Sequence, residues 1–313
     1  MLHLRVISPA ELTDAVLEEL TEECGATHIT VQRGVCIEPA GDVVQATLAR
    51  EAANGVLDAL RRLGIDHSGG ITLENLDTVL SDAASQAEKD APGDPDDAVI
   101  WEELIARTGE ESRLNGTFLA FLSLALLIAA VGVVTNSPVT VVGAMVVGPE
   151  FGPLAALAVA LVRHRWDLAR RSALALVLGF PIAMGVTLLG ALLAEAAGLI
   201  TPQSLDNVSQ VDFVYQVGPF SLIVALLAGA AGMLSMTSSK SAALVGVFIS
   251  VTTVPAAGFA VVAATLGSWR IAAESTGQLL VNLAGITMAA ALVLALRRRS
   301  WRRSDRGRPL PEG

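Results

Sequence analysis

From residue 115 onward the chain alternates long uncharged apolar runs with short polar interruptions. Each run reaches the length of about 20 residues that a helix needs to cross a bilayer. The pattern predicts six spans, at residues 115–135, 138–162, 169–197, 216–236, 241–266 and 273–296. Before residue 81 the periodicity changes. Residues 3–7, 28–38, 43–49 and 71–73 read as strands, while 9–23 and 51–63 carry helical stripes, the first through Leu12, Val16 and Leu20. The order βαββαβ predicts a ferredoxin-like α+β domain over residues 1–80, with a turn at Pro39-Ala40-Gly41-Asp42 and Gly64 ending the second helix. Residues 81–97 (SDAASQAEKDAPGDPDD) are acidic, lack an apolar stripe and read as a linker. Residues 98–114 set Val99, Trp101, Leu104 and Ile105 against Glu102, Glu103, Glu110 and Glu111. They predict an interfacial amphipathic helix, with packing against the soluble domain as the alternative.

Two of the apolar stretches match each other. TNSPVTVVGAMVVGPEFGPLAALAVALVRHRW and SSKSAALVGVFISVTTVPAAGFAVVAATLGSW align on Gly143 and Gly246, an offset of 246 − 143 = 103. The same offset superposes Trp166 on Trp269 and Ser172 on Ser275, and brings Gly152 onto Pro255. Each stretch is the second of three apolar runs, so residues 115–197 and 216–296 read as two copies of a three-span unit. An odd number of spans per copy turns the second copy over in the membrane. The expected fold is therefore an α-helical polytopic membrane protein with an inverted 3+3 repeat, a plan common among transporters.

Composition supports a membrane protein: 52% of the residues are hydrophobic and 4% aromatic. The net charge of −10 averages unlike regions. Acid concentrates before residue 113 and base clusters at 163–171 and in a basic tail, 297–313. That distribution excludes a basic nucleic-acid-binding face. No secretory signal is visible at the N-terminus. With the N-terminus in the cytoplasm, RHRWDLARR and RRRSWRRSDRGR both fall inside, while the outer connections hold Arg270, Asp206 and Asp212. This obeys the positive-inside rule and puts both termini on the cytoplasmic side of an inner (cell) membrane. Cys24 and Cys36 lie in a reducing compartment and read as small buried hydrophobes rather than a disulfide.

Candidate chemistry centres on Glu150. It lies in VVGPEFGPL, inside the second span, flanked by Gly148, Pro149, Gly152 and Pro153. These residues permit a helix break that frees backbone amides and carbonyls within the bilayer. The offset puts Thr253 at the Glu150 position, beside Thr252 and Pro255 in SVTTVP. An inverted two-fold would bring the two breaks face to face near the midplane. A carboxylate there can bind a cation, carry a coupling proton or contact a polar solute; the alternatives are an aqueous vestibule or bonding to the freed amides. Asn136 and Ser137 precede Pro138 and are explained by helix capping. Their counterparts Ser239 and Lys240 start the fifth span, where Lys240 is an interfacial lysine or a gate. Gln278 and Asn282, four apart, either line the pathway or bond a neighbouring helix. Asn54-Gly55 and Gly69-Gly70 are read as packing and turn positions rather than ligand contacts. No histidine pair has metal spacing and no nucleotide-binding motif is present, so no metal, cofactor or ATP-driven cycle is expected.

At GAMVVGPEFGPLAALAVAL, preceded by TNSP and answered by SAALVGVFISVTTVP, the chain resembles the bacterial and archaeal hydrophobic membrane proteins grouped as domain of unknown function 389. The resemblance extends through VIWEELIARTGEESRLNG and covers most of residues 98–296. Where the family typically reads GAMLISPLMGPI, this chain keeps Gly143-Ala144-Met145, Pro149, Gly152 and Pro153 but has Glu150 at a usually apolar position. The resemblance implies the membrane architecture and no reaction or substrate.

The expected function is a secondary transporter or channel for an ion or small polar solute, regulated by the cytoplasmic domain. The alternative is a membrane-anchored ligand sensor or scaffold; an enzyme is not expected. The exposed edge of the sheet predicts a homo-oligomer, and the remaining partner is the lipid bilayer.

Overall fold

The computed structural model describes residues 1–91, 99–201, 218–237 and 253–305, with side chains through 298. The chain forms two compact units, 1–101 with 297–313, and 102–296.

In the first unit the alternating segments form β1 (Leu2–Ser8), β2 (Ala26–Ile37), β3 (Ala40–Leu48) and β4 (Gly70–Asn75). They make one antiparallel sheet in the order β2-β3-β1-β4. Helices α1 (Thr13–Glu22) and α2 (Ala53–Arg62) cover one face, and the short α3 (Ile65–Ser68) follows Gly64. Gly64 takes a left-handed conformation at φ 75°, which glycine adopts without strain. Every second residue of β1 (Leu2, Leu4, Val6) meets Val16 and Leu20 of α1 and Val56, Leu57 and Leu60 of α2 in the core. Asn54 has a packing role: its Nδ2 donates to the Val99 carbonyl (2.8 Å) and its Oδ1 accepts from the Trp101 amide. Gly69 lies so close to the Ile7 carbonyl that no side chain fits there.

Asp42 ties the β2–β3 hairpin. Its carboxylate accepts from the Gly34 amide (2.8 Å), and Arg33 stands 3.7 Å away. The Gly34 bond, then the Thr13 hydroxyl and the Arg33 charge hold the Asp42 carboxyl below its ordinary range. Because the folded value is the lower one, the stabilisation is complete above about pH 4, the unfolded value, and is lost as pH falls through the folded value. Hydrogen exchange should show Gly34 losing protection on acidification below pH 4 in the native chain. In Asp42→Asn that acid-dependent step should be absent; an unchanged step would show that another group controls it.

Two expectations need correction in this region. Residues 82–90 of the expected linker form α4 (Asp82–Asp90), capped by the Ser81 hydroxyl and packed on the sheet through Ala84 and Ala87. Two alanines bury too little apolar surface to register as a stripe. Residues 92–98 lie outside the described residues. Cys24 is exposed and Cys36 half-buried, so neither is a core residue. In helix α5 (Trp101–Glu111), Trp101, Leu104 and Thr108 are buried within the protein.

In the second unit, α6 (Gly116–Val134), α9 (Trp166–Ala196) and α10 (Pro219–Thr237) are each long and apolar enough to span a membrane. So is the first part of α12 (Trp269–Asp305). The second expected span is two helices, α7 (Pro138–Val147) and α8 (Phe151–Arg163), bent by 54° at residues 148–150. Of the fifth, α11 (Thr253–Thr265) is described, and residues 238–252 lie outside the described residues. The chain thus has four membrane-capable helices, or five with the bent pair, among the described residues, where six spans were expected. Helix α12 also continues to Asp305, into the expected tail.

Helices α6, α9 and α11 pack together, with α7 against α6 and α8 along α9. Close approach depends on small residues. A side chain on Gly179 would strike Phe118 (2.8 Å), and one on Gly258 would strike Ala129 (2.9 Å). Both half-helices are enclosed: in α11 every residue from Thr253 to Ala263 is buried, and α8 is buried from Phe151 to Leu154.

Candidate functional site: a helix break tied to a second helix by Glu150 and Thr253

The α7–α8 break follows from its residues. Gly148 closes α7 in an extended conformation (φ −66°, ψ 129°), and Pro149 cannot donate a hydrogen bond to the preceding turn. Glu150 occupies the N-cap of α8 with helical dihedrals, and its carboxylate does not cap its own helix. Pro153 sits in the first turn of α8, where amides lack intrahelical acceptors in any case. Pro255 holds the same first-turn place in α11.

Glu150 is 1% exposed and Thr253 fully buried. The Thr253 hydroxyl, on the first residue of α11, donates to Glu150 Oε1 at 2.6 Å. The bond joins the start of α8 to α11, and its partners are separated by 103 residues, the offset between the matched stretches. A buried carboxylate is costly unless hydrogen-bonded, and this hydroxyl supplies one such bond.

Beside the break lies a cavity of about 400 Å³. Gly148, Pro149, Phe151 and Gly152 form one wall, Phe118 and Phe121 of α6 another, and Arg107, Glu110, Glu111 and Arg113 carry charge around it. Arg107 donates to Glu111 Oε1 at 3.3 Å. Gly152 is required by this contact, because a Cβ there would lie 2.6 Å from Glu111 Cβ. The α5 side chains and Met236, which also lines the cavity, were not among the expected site residues. The one signal for them was Gly152, a small residue whose partner cannot be read from sequence.

The break does not lie half-way along α6, as expected. Phe118 and Phe121 put it level with the first two turns of that helix. The reason is length. Helix α7 descends about 15 Å in ten residues and the Gly148-Pro149 step adds roughly 3.3 Å per residue, together most of the about 28 Å of α6.

The other expected residues are elsewhere. Asn136 (φ 48°) and Ser137 form the α6–α7 turn, where Ser137 N donates to Gly132 O and the Ser137 hydroxyl accepts from Thr140 N at 3.3 Å. They are caps, separated from Glu150 by all of α7. Gln278 and Asn282 are buried on α12, where Gln278 Nε2 donates to Asn282 Oδ1 (3.0 Å) and Ser221 of α10 donates to the same oxygen (3.4 Å). Asn282 bonds a neighbouring helix, one of the two readings open from sequence, while Gln278 bonds within its own helix. Thr252, Ser239 and Lys240 lie outside the described residues. No group of three or more potential metal ligands occurs among the described residues.

Comparison with known proteins gives a family and no solved relative. An uncharacterized protein of Methanocaldococcus jannaschii, MJ0678, is 26% identical over 212 residues, 67% of this chain. The match spans 62% of that protein's length, under two thirds. No solved structure matches the chain. The family described as Domain of unknown function (DUF389) matches residues 145–288, which include Glu150, Thr253 and both half-helices. Over that segment, the chain is similar to the Domain of unknown function (DUF389) family.

Proposed function

We propose that this multi-pass membrane protein is a secondary transporter or channel for an ion or small polar solute, whose route passes between the starts of α8 and α11. The Glu150–Thr253 bond carries the reading, since it ties the α7–α8 break to α11 through a buried carboxylate.

An inverted duplication is part of the proposal, and several observations support it. Helix α10 begins 103 positions after α6, and α12 begins 103 after α9. Helices α8 and α11 both end in left-handed residues at matching positions, His164 (φ 55°) and Gly267 (φ 74°). The next amide reaches back five residues in both turns, Arg165 to Ala160 and Ser268 to Ala263. Direction supports inversion. Phe118 and Leu127 of α6 meet Gly179 and Gly190 of α9, so those two helices run the same way. Helix α8 returns along α9 after a tight turn and opposes them. Helix α11 runs with α6, since Gly258 meets Ala129 while Val262 and Ala263 cluster with Val133.

In this reading both termini are cytoplasmic, the N-terminal unit is regulatory and the protein is a homo-oligomer. Flux of sodium, potassium, chloride and protons into proteoliposomes is the test. Native protein should exceed empty vesicles, and Glu150→Ala should lower the rate by about tenfold or more. A native rate equal to that of empty vesicles for every solute would remove the reading. It would leave a membrane-anchored sensor or scaffold, which the near-complete burial of Glu150 favours.

A further inference from the structure

A second polar centre lies away from Glu150, on α12. Ser275 and Gln278 are one turn apart on the same face and are 0% and 1% exposed. The Ser275 hydroxyl and Gln278 Oε1 are buried and have no hydrogen-bond partner among the described residues. One turn further, Asn282 Oδ1 accepts from Gln278 Nε2 and from the Ser221 hydroxyl. The carboxylate next to Ser275 in sequence, Glu274, pairs with Arg270 at 2.9 Å. What remains on this face is a run of neutral oxygens inside an apolar bundle.

The first three-helix stretch shows that this architecture does not need them. At the positions 103 residues earlier stand Phe118, Ser172, Ala175 and Gly179, in place of Ser221, Ser275, Gln278 and Asn282. There the Phe118 ring packs on Gly179, and the Ser172 hydroxyl is satisfied by the Leu168 carbonyl at 2.8 Å. Ser275 keeps the same residue type but has no such bond. Equivalent helix positions are thus apolar and satisfied in one stretch, polar and unsatisfied in the other. Buried polar atoms without partners are rare and call for a missing component.

We infer that Ser275 and Gln278, held in place by Asn282 and Ser221, form a binding site for a monovalent alkali cation. Hard cations take oxygen ligands. An amide carbonyl and hydroxyl oxygens carry no net charge, which suits a single positive charge more than a divalent ion. The inference stands apart from the transport reading, because it concerns binding and different residues.

The test is thermal unfolding of the purified full chain in sodium, potassium and choline chloride at equal ionic strength. Sodium or potassium should raise the midpoint over choline, by about 5–10 °C at a concentration near 100 times the dissociation constant. Gln278→Ala and Ser275→Ala should abolish that difference while unfolding cooperatively in choline. The first copies the alanine found at position 175, so it introduces a residue the helix accepts. If one variant fails to fold, the other decides. Equal midpoints in all three salts, or a cation shift that survives both substitutions, would overturn the proposal and leave a trapped water as the missing partner.

Discussion

Thr253→Val should lower the melting temperature of the detergent-solubilised protein by about 3–12 °C. The substitution keeps the shape of the side chain and removes the hydroxyl that donates to Glu150 at 2.6 Å. A hydrogen bond to a charged group contributes about 1.5–3 kcal/mol, and in a unit of this size each kcal/mol moves the midpoint by about 2–4 °C. Glu150→Gln retains a carbonyl acceptor and should cost less. The discriminating measurement is the double-mutant cycle with Glu150→Leu. If the bond holds the two breaks together, the double variant loses less than the two single losses combined, with a coupling of about 0.5–3 kcal/mol. Strict additivity would mean that the carboxylate and hydroxyl do not interact in the membrane-solubilised protein, and the proposed route would lose its support.

Gly229→Ala should be similarly costly, although it adds one methyl group. A Cβ at Gly229 would run into the carbonyl oxygen of Ile286, and it would lie 2.8 Å from Ile286 Cα and 2.9 Å from its carbonyl carbon. These are backbone atoms of α12, so no rotamer change relieves the clash and the helices must separate. Overpacking of this kind costs about 1–3 kcal/mol. Gly143→Ala is the control. Among the described residues nothing lies within 4 Å of a Cβ there, and alanine is favoured over glycine in a helix by about 1 kcal/mol. The two variants should therefore move the unfolding midpoint in opposite directions. A Gly229→Ala protein as stable as the native one would show that α10 and α12 are not in contact.

Much of the site could be read before any coordinates. Gly148, Pro149, Gly152 and Pro153 mark a helix interruption because two supply unusual dihedrals and two remove donors. The offset of 103 singled out Thr253 as the residue corresponding to Glu150, and the structure bonds the two. What escaped depends on tertiary placement. The stripe of α5 reads identically whether it faces lipid or protein, and the contact of Glu111 with Gly152 could not be read from it. The level of the break depends on α7 having ten residues, which fixes how far the chain descends beside α6. Ser221 could not be paired with Asn282 from spacing alone, since the two lie on different helices. The α4 segment was missed because alanine is a weak apolar signal.

The full enclosure of α11 also bears on biogenesis. A translocon passes a nascent apolar segment to lipid, yet every residue of α11 from Thr253 to Ala263 is buried within the protein. The surfaces that receive this helix belong to α6 and α9, synthesised earlier. Its final position therefore depends on helices already inserted, and maturation of the chain should lag behind its synthesis.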